Sequence, residues 1–246
     1  MHVMLMDEEG KKYYIHGKGM VKIRGLGVVD ADRIRTTPYG ESIRIAGKRF
    51  IVVRPTAEEI ISSITRGPQV ITSKDAAIIV HYLGIGNGSA VIEGGAGSGC
   101  LSLFLLQSVF PDGAVISVDN RSDHLRIAAE NVSNSDFSAC WHPVKGDIRH
   151  IQLSHPADAM VLDIPDPWDA LDTASSCLKA GAILAVYLPT INQTEKTVVI
   201  SQGTSLRHET SFELLMRKLE VKDGGTRHSY ETLGHTGYIS IFRKMS

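Results

Sequence analysis

Residues 90–106, AVIEGGAGSGCLSLFLL, run from an apolar strand into an apolar helix through a turn rich in glycine, at 94, 95, 97 and 99. A strand this uniformly apolar, followed at once by a helix, is one buried on both faces, and that belongs to a parallel sheet with helices packed against each side. The rest of the chain repeats the alternation. KDAAIIVHYLGI reads as a helix, AVISVDN as a strand, SDHLRIAAENV as a helix, and CWHPVKGD and ADAMVLDIP as strands. DALDTASSCLKA follows as a helix ended by Gly181, then AILAVYLP as a strand. TEKTVVISQGTSLRHETSFELLMRKLE holds one or two helices, and LEVKDGG and GYISIFRK close the chain as an antiparallel pair at one edge. The fold class is α/β, a mostly parallel sheet with one antiparallel edge strand.

Residues 1–54 differ in texture. KKYYIHG, GMVKIRGLGVVD, ESIRIAG and KRFIVVRP are short strand-like runs broken by glycine, and the Ala46-Gly47-Lys48 turn predicts a hairpin. Nothing here has the length and period of a helix, so the expectation is a small N-terminal β domain, a barrel or sandwich, over 1–54, with the α/β domain over 55–246. At the junction TAEEIISSI reads as a helix capped by Thr56, with Glu59 completing a capping box. Between Lys11 and Arg54 eleven Lys/Arg face three acids, a net of +8 in a chain whose net charge is −1. That asymmetry points to a polyanionic partner. Membrane contact is disfavoured: no amphipathic stripe accompanies the charge, and no apolar run approaches the ~20 residues of a span. The N-terminus carries acids where a secretion signal carries bases. Cys100, Cys140 and Cys177 are odd in number and widely spaced, so neither a disulfide framework nor a metal site is predicted, and a reducing, cytoplasmic setting is expected.

The glycine turn carries the first chemical signal. Glu93, Gly95, Gly97 and Gly99 form E-x-G-x-G-x-G, which lets the backbone approach a ligand at the C-terminal edge of the sheet. A dinucleotide fingerprint would place its third glycine at Cys100, so that reading fails. Asp119 ends the next strand, where a carboxylate accepts from both ribose hydroxyls. His124 lies one turn into the following helix, and Asp147 follows the third strand, placed to accept from an adenine amino group. The glycine turn, Asp119 and Asp147 together describe a pocket for an adenosine-like ligand, without a phosphate motif. The fourth strand ends at Asp163, followed by Ile-Pro165-Asp-Pro-Trp168. Pro165 and Trp168 offer apolar faces for stacking a planar base, worth ~1–3 kcal/mol, and Asp163 suits an exocyclic amine beside a ring nitrogen.

The glycine turn with its preceding acid resembles motif I of class I S-adenosylmethionine methyltransferases. Together with Asp163-Ile-Pro-Asp-Pro-Trp168 and Gly234-His235-Thr236-Gly237-Tyr238, it resembles the tRNA (adenine-N1)-methyltransferases of the TrmI group, over essentially the whole chain. Arg66-Gly67-Pro68-Gln69 with Lys74-Asp75 is similar to the segment before motif I in archaeal members. The resemblance implies a Rossmann-like class I methyltransferase sheet, S-adenosylmethionine as cofactor, and methylation of N1 of adenine 58 in the tRNA T-arm, with position 57 added in some archaeal relatives. It implies cofactor contacts at Ser98, Gly99, Cys100, Leu101, Asp119, His124, Asp147 and Asp163, with Gln69 facing the methionine portion. Pro165, Trp168, Thr72 and His235 fall on the substrate side, and Asp163 is the catalytic candidate. A homotetramer gripping tRNA with more than one subunit is implied, and no metal. Thr72-Ser73 departs from relatives, which place an aromatic or histidine and a proline before Lys-Asp. Two other classes stay open: a class I methyltransferase acting on a protein or small molecule, and a non-catalytic RNA-binding module.

Overall fold

The computed structural model describes residues 3–63, 71–231 and 233–246. Its N-terminal part is built from strands β1 (Met4–Asp7), β2 (Lys12–Tyr14), β3 (Met20–Ile23) and β4 (Gly27–Asp30), helix α1 (Ala31–Thr36), and strands β5 (Ser42–Ile45) and β6 (Lys48–Val53). Four of these strands form an antiparallel sheet in the order β2-β1-β6-β5, while β3 and β4 pair separately. Val3, Leu5, Ile15, Val29, Ile34, Phe50 and Val52 fill a core of their own. The expected hairpin is present: Ile45 pairs with Lys48 across a turn in which Ala46 and Gly47 both adopt positive φ. The short α1 was not expected. Asp30 caps it by accepting from the backbone N–H groups of Asp32 and Arg33, and six residues are too few to show a helical period.

The second part comprises α2 (Ala57–Ser63), α3 (Ser73–Leu83), β7 (Ala90–Gly94), α4 (Cys100–Val109), β8 (Ala114–Asp119), α5 (Ser122–Ser133), β9 (Trp141–Lys145), β10 (Ala157–Leu162), α6 (Leu171–Cys177), β11 (Leu178–Leu188), α7 (Ile191–Ser201), β12 (Leu206–Glu213), the short strands β13 (Leu219–Glu220) and β14 (Arg227–His228), and β15 (Tyr238–Lys244). The capping box holds as read: Thr56 N–H donates to Glu59 Oε2 over 2.8 Å, and Glu59 N–H to Thr56 Oγ1 over 3.3 Å. Seven strands form one sheet in the order β12-β15-β11-β10-β7-β8-β9. Successive residues along its central strands enter opposite cores. Val91, Ala159, Val161, Ile183 and Ala185 pack on one face with α3 and α4 residues. Ile92, Met160, Leu162, Leu184 and Val186 pack on the other with α6 residues.

Three expectations about the C-terminal third are corrected. Gly181 does not end a helix. α6 stops at Cys177, and Gly181, at φ +82°, sits where the register between β10 and β11 jumps from Ala157↔Leu178 to Ala159↔Ile183. LRHETSFE is the strand β12, not helix; its Leu, Arg and Glu favour helices, but pairing with β15 decides the matter. The antiparallel strand is not at an edge. β15 lies between β11 and β12, antiparallel to both, with Ile239, Ile241 and Phe242 buried, while LE of LEVKDGG pairs, among the described residues, with Arg227–His228 alone.

Candidate active site at the carboxyl ends of the strands

The turn after β7 is held between its neighbours. Gly95 N–H donates to the carbonyl of Val118 over 2.9 Å, and Asp163 N–H to the carbonyl of Gly94 over 2.8 Å. A Cβ on Gly95 would stand 2.2 Å from the carbonyl oxygen of Asp163, so only glycine fits there. Gly97, at φ +53°, has no atom within 4 Å of such a Cβ: the turn opens onto space at that point. On the far side Asn131, buried on α5, donates from Nδ2 to the carbonyl of Ser98 over 2.8 Å. Strand pairing thus brings Asp119 and Asp163 to either side of the glycine turn.

Asp119 is nearly buried. Its Oδ2 accepts from Gly97 N–H over 3.1 Å and lies 3.2 Å from His124 Nδ1, while Oδ1 accepts from Arg121 N–H over 2.8 Å. Asp147 accepts from Arg149 through both oxygens, a charge pairing that holds its carboxyl down at about 2. Ser98, Cys100 and Leu101 are buried, Cys100 and Leu101 within the core, so these two can meet a ligand only through their backbone. Glu93 is wholly buried beneath the turn. Its Oε2 accepts from Ser102 and Ser117, each at 2.5 Å, and its Oε1 has no partner among the described residues. Burial, opposed by those two hydroxyls and reinforced by the charges of Asp163 and Asp119, pushes Glu93 up to about 7. Glu93 therefore supports the turn from below.

The carboxylate of Asp163 is different. It is exposed, and among the described residues it neither accepts a hydrogen bond nor joins an ion pair. Its surroundings are nonetheless dense with protein, and that desolvation, with the charge of Asp119, pushes it up to about 6. A carboxylate open to solvent, unpaired among the described residues and hard to ionise, is poised for an incoming donor or cation.

The substrate-side residues divide. Thr72 turns its hydroxyl to Asp75 Oδ2 at 2.7 Å, at the start of α3. His235 commits both ring nitrogens, Nδ1 to Glu213 at 2.6 Å and Nε2 to the Pro189 carbonyl at 2.8 Å, and Glu213 chiefly raises its pKa. Pro165 is exposed as expected. Trp168 is partly buried and carries the Lys196 ammonium 3.6 Å from its ring centroid, so the open stacking face expected of it is occupied in the free protein. Gln69, with Arg66-Gly67-Pro68, lies outside the described residues. Sequence reasoning missed the residues that hold these loops: Asn131, Tyr187, Gln193, Lys196 and Arg149. Asn131, Tyr187, Gln193 and Lys196 act through long-range contacts that leave no local pattern, whereas Arg149 pairs with Asp147 only two residues away.

A doubly covered sheet with its antiparallel strand between β11 and β12, a glycine turn open to a ligand, and an acid ending each neighbouring strand define a class I methyltransferase, the group whose methyl donor is S-adenosylmethionine. The family model described as "tRNA methyltransferase complex GCD14 subunit" matches residues 49–237, and the chain belongs to that family. It is 30% identical to the Methanocaldococcus jannaschii protein named "tRNA (adenine(57)-N(1)/adenine(58)-N(1))-methyltransferase TrmI", over 98% of this chain and 94% of that one. Among solved structures, the Aquifex aeolicus tRNA (m1A58) methyltransferase TrmI superposes with a TM-score of 0.79 at 25% identity, covering 100% of this chain and 97% of that chain. A Thermotoga maritima protein titled a SAM-dependent O-methyltransferase superposes with a TM-score of 0.85 at 25% identity, covering 100% and 93%.

Proposed function

We propose that this protein is a tRNA methyltransferase that transfers a methyl group from S-adenosylmethionine to N1 of adenine 58 in the T-loop. The observation that carries this reading is the exposed carboxylate of Asp163, unpaired among the described residues, beside the open glycine turn. S-adenosylmethionine, when bound, supplies a methyl group made electrophilic by its sulfonium sulfur. Asp119 holds the ribose hydroxyls, and the backbone of residues 97–101 lies against the ligand where Gly97 leaves room. Asp147 accepts from the adenine amino group of the cofactor. Glu93 and Asn131 keep the turn in shape.

Adenine N1 has a lone pair at neutral pH, so no side chain need remove a proton from it first. The protein's task is placement, which supplies several kcal/mol when the reacting atoms are held in line. Asp163 accepts from the exocyclic amino group of the target base, and its negative charge favours the positive charge that grows on the ring. Because the target lies in a folded arm, the nucleotide must leave its stack, and contacts to the phosphate backbone hold the RNA meanwhile.

The N-terminal β sheet is suited to that second role. In the β5–β6 pairing Arg44 stands directly opposite Arg49, next to Lys48, and all three are exposed with no acidic partner among the described residues. Like charges directly opposite each other on a sheet destabilise it, so a polyanion is the natural counterpart. We read the assembly as a homotetramer, and the exposed apolar side chains near the β13–β14 hairpin, where Leu219, Val221 and Tyr230 are 57%, 76% and 86% exposed, support a contact between subunits there. No helix among the described residues is long and apolar enough to cross a membrane.

The deciding experiment incubates unmodified tRNA transcript with methyl-labelled S-adenosylmethionine, then identifies the labelled nucleoside and maps it. N1-methyladenosine at 58, alone or with 57, is the expected product. Label on another nucleoside, or none, contradicts the proposal.

A further inference from the structure

We propose that Lys196 is a phosphate-contacting residue at the mouth of the methyl-transfer site, taking a backbone phosphate next to the nucleotide presented to Asp163. The inference rests on the tRNA reading above and names a contact on this chain that the motifs do not mark.

Helix α7 begins against the loop that carries Asp163. Thr190 caps it, accepting from Gln193 N–H over 3.3 Å and donating its hydroxyl to Gln193 Oε1 over 2.6 Å. That fixes the Gln193 amide so that Nε2 donates to the carbonyl of Pro165 over 3.0 Å. Three residues on, and so on the same helix face, Lys196 places its ammonium 3.6 Å from the centroid of the Trp168 ring. Two consecutive contacts from one helix therefore grip the loop Asp163-Ile-Pro-Asp-Pro-Trp168.

A lysine on an exposed helix face ordinarily samples many rotamers, and holding one over a ring costs entropy. Lys196 is nonetheless exposed and forms no ion pair with any acid among the described residues. Its surroundings explain the need for it. Asp163, Asp166, Asp169 and Asp172 are all exposed along this rim, and a polyanion arriving there meets repulsion. Arg149 also lies within the field of Asp166 and Asp169, but it is neutralised by its pairing with Asp147. Among the described residues of this otherwise acidic lip, Lys196 thus supplies a positive charge free of any carboxylate, pinned by Trp168 instead.

The test compares Lys196→Met, which keeps the stem and removes the charge, with Lys196→Arg. Binding of unmodified tRNA transcript is measured over a salt series, and S-adenosylmethionine affinity by calorimetry. Lys196→Met is expected to weaken tRNA binding roughly three- to tenfold and to lessen the slope of log affinity against log salt by about one, with Lys196→Arg close to wild type. Cofactor affinity stays at the wild-type value in both. An unchanged salt slope in Lys196→Met overturns the inference. So does a loss of cofactor affinity equal to the loss of tRNA affinity, which would make Lys196 a prop for the loop. A wild-type protein that binds tRNA but methylates no adenine removes the functional reading while leaving this contact standing; one that binds no tRNA removes both.

Discussion

Lys74 Nζ donates to Thr236 Oγ1 over 2.7 Å, joining the first turn of α3 to the loop that enters β15. The same ammonium pairs with the fully buried Asp75 at 2.6 Å. Tyr187, on β11, donates to the carbonyl of Thr236 over 2.7 Å and lies 3.2 Å from Asp75 Oδ2, and burial chiefly raises its pKa. Two motifs at opposite ends of the domain, Lys-Asp and Gly-His-Thr-Gly, are therefore one polar knot at the strand ends. Gly237 is required within it, because a Cβ there would stand 2.4 Å from the Tyr187 ring.

Lys74→Met leaves the Asp75 carboxylate buried without its cation and is expected to cost about 3–5 kcal/mol of stability. The double variant Lys74→Met/Asp75→Asn recovers part of that loss, and Tyr187→Phe costs about 1–2 kcal/mol. Urea unfolding of the four proteins checks the ranking. A double variant less stable than the single would contradict the pairing.

The glycine turn separates steric from ligand effects. Gly95→Ala drives a methyl group into the Asp163 carbonyl and is expected to cost about 3 kcal/mol or more, or to prevent folding. Gly97→Ala meets no atom in the free protein and costs only about 1 kcal/mol for its positive φ. In the proposed binding mode its methyl group enters the space the cofactor takes, so thermal unfolding is expected to move little while calorimetry shows S-adenosylmethionine affinity falling at least tenfold.

Asp163 and Glu93 hold their protons more tightly in the folded chain than unfolded, at about 6 and about 7 against ordinary values of 3.8 and 4.5. The stability from this source is full below those ordinary values and is lost as pH rises through about 6 and then about 7. The free protein is therefore expected to melt at lower temperature at pH 8 than at pH 5.5, with a flatter profile in Glu93→Gln. Affinity for the cationic cofactor runs the other way, rising as Asp163 ionises near pH 6, and Asp163→Asn removes that rise. A pH-independent affinity in the unsubstituted protein contradicts this role.

Replacing Lys48 and Arg49 by Glu on the β5–β6 turn is expected to weaken tRNA binding more than tenfold and to reduce its salt slope by about two or more, with the cofactor affinity retained. Filter binding at several salt concentrations measures it, and an unchanged slope would free the N-terminal sheet from RNA contact.

Much of this architecture is legible in the sequence because local signals agree with the fold. AVIEG and ADAMVL are mostly apolar, each with a single acid, and the structure sends their alternate apolar residues into two cores. Asp119 and Asp163 are legible as strand ends. What is not legible depends on partners far along the chain. LRHETSFE becomes a strand only because β15 is there to pair with it, and Gly181 serves a register jump rather than a helix end. Likewise Lys196 on Trp168, Asn131 on Ser98 and Tyr187 on Thr236 join segments with no shared motif.

The most direct measurement is a single-turnover assay of Asp163→Ala with saturating S-adenosylmethionine and unmodified tRNA, alongside the binding of that tRNA. Methyl transfer is expected to slow by roughly a hundredfold or more, a loss of about 3 kcal/mol in the barrier, while tRNA affinity changes by less than about threefold. A variant that methylates adenine at close to the unsubstituted rate would contradict the assignment of this carboxylate to the base.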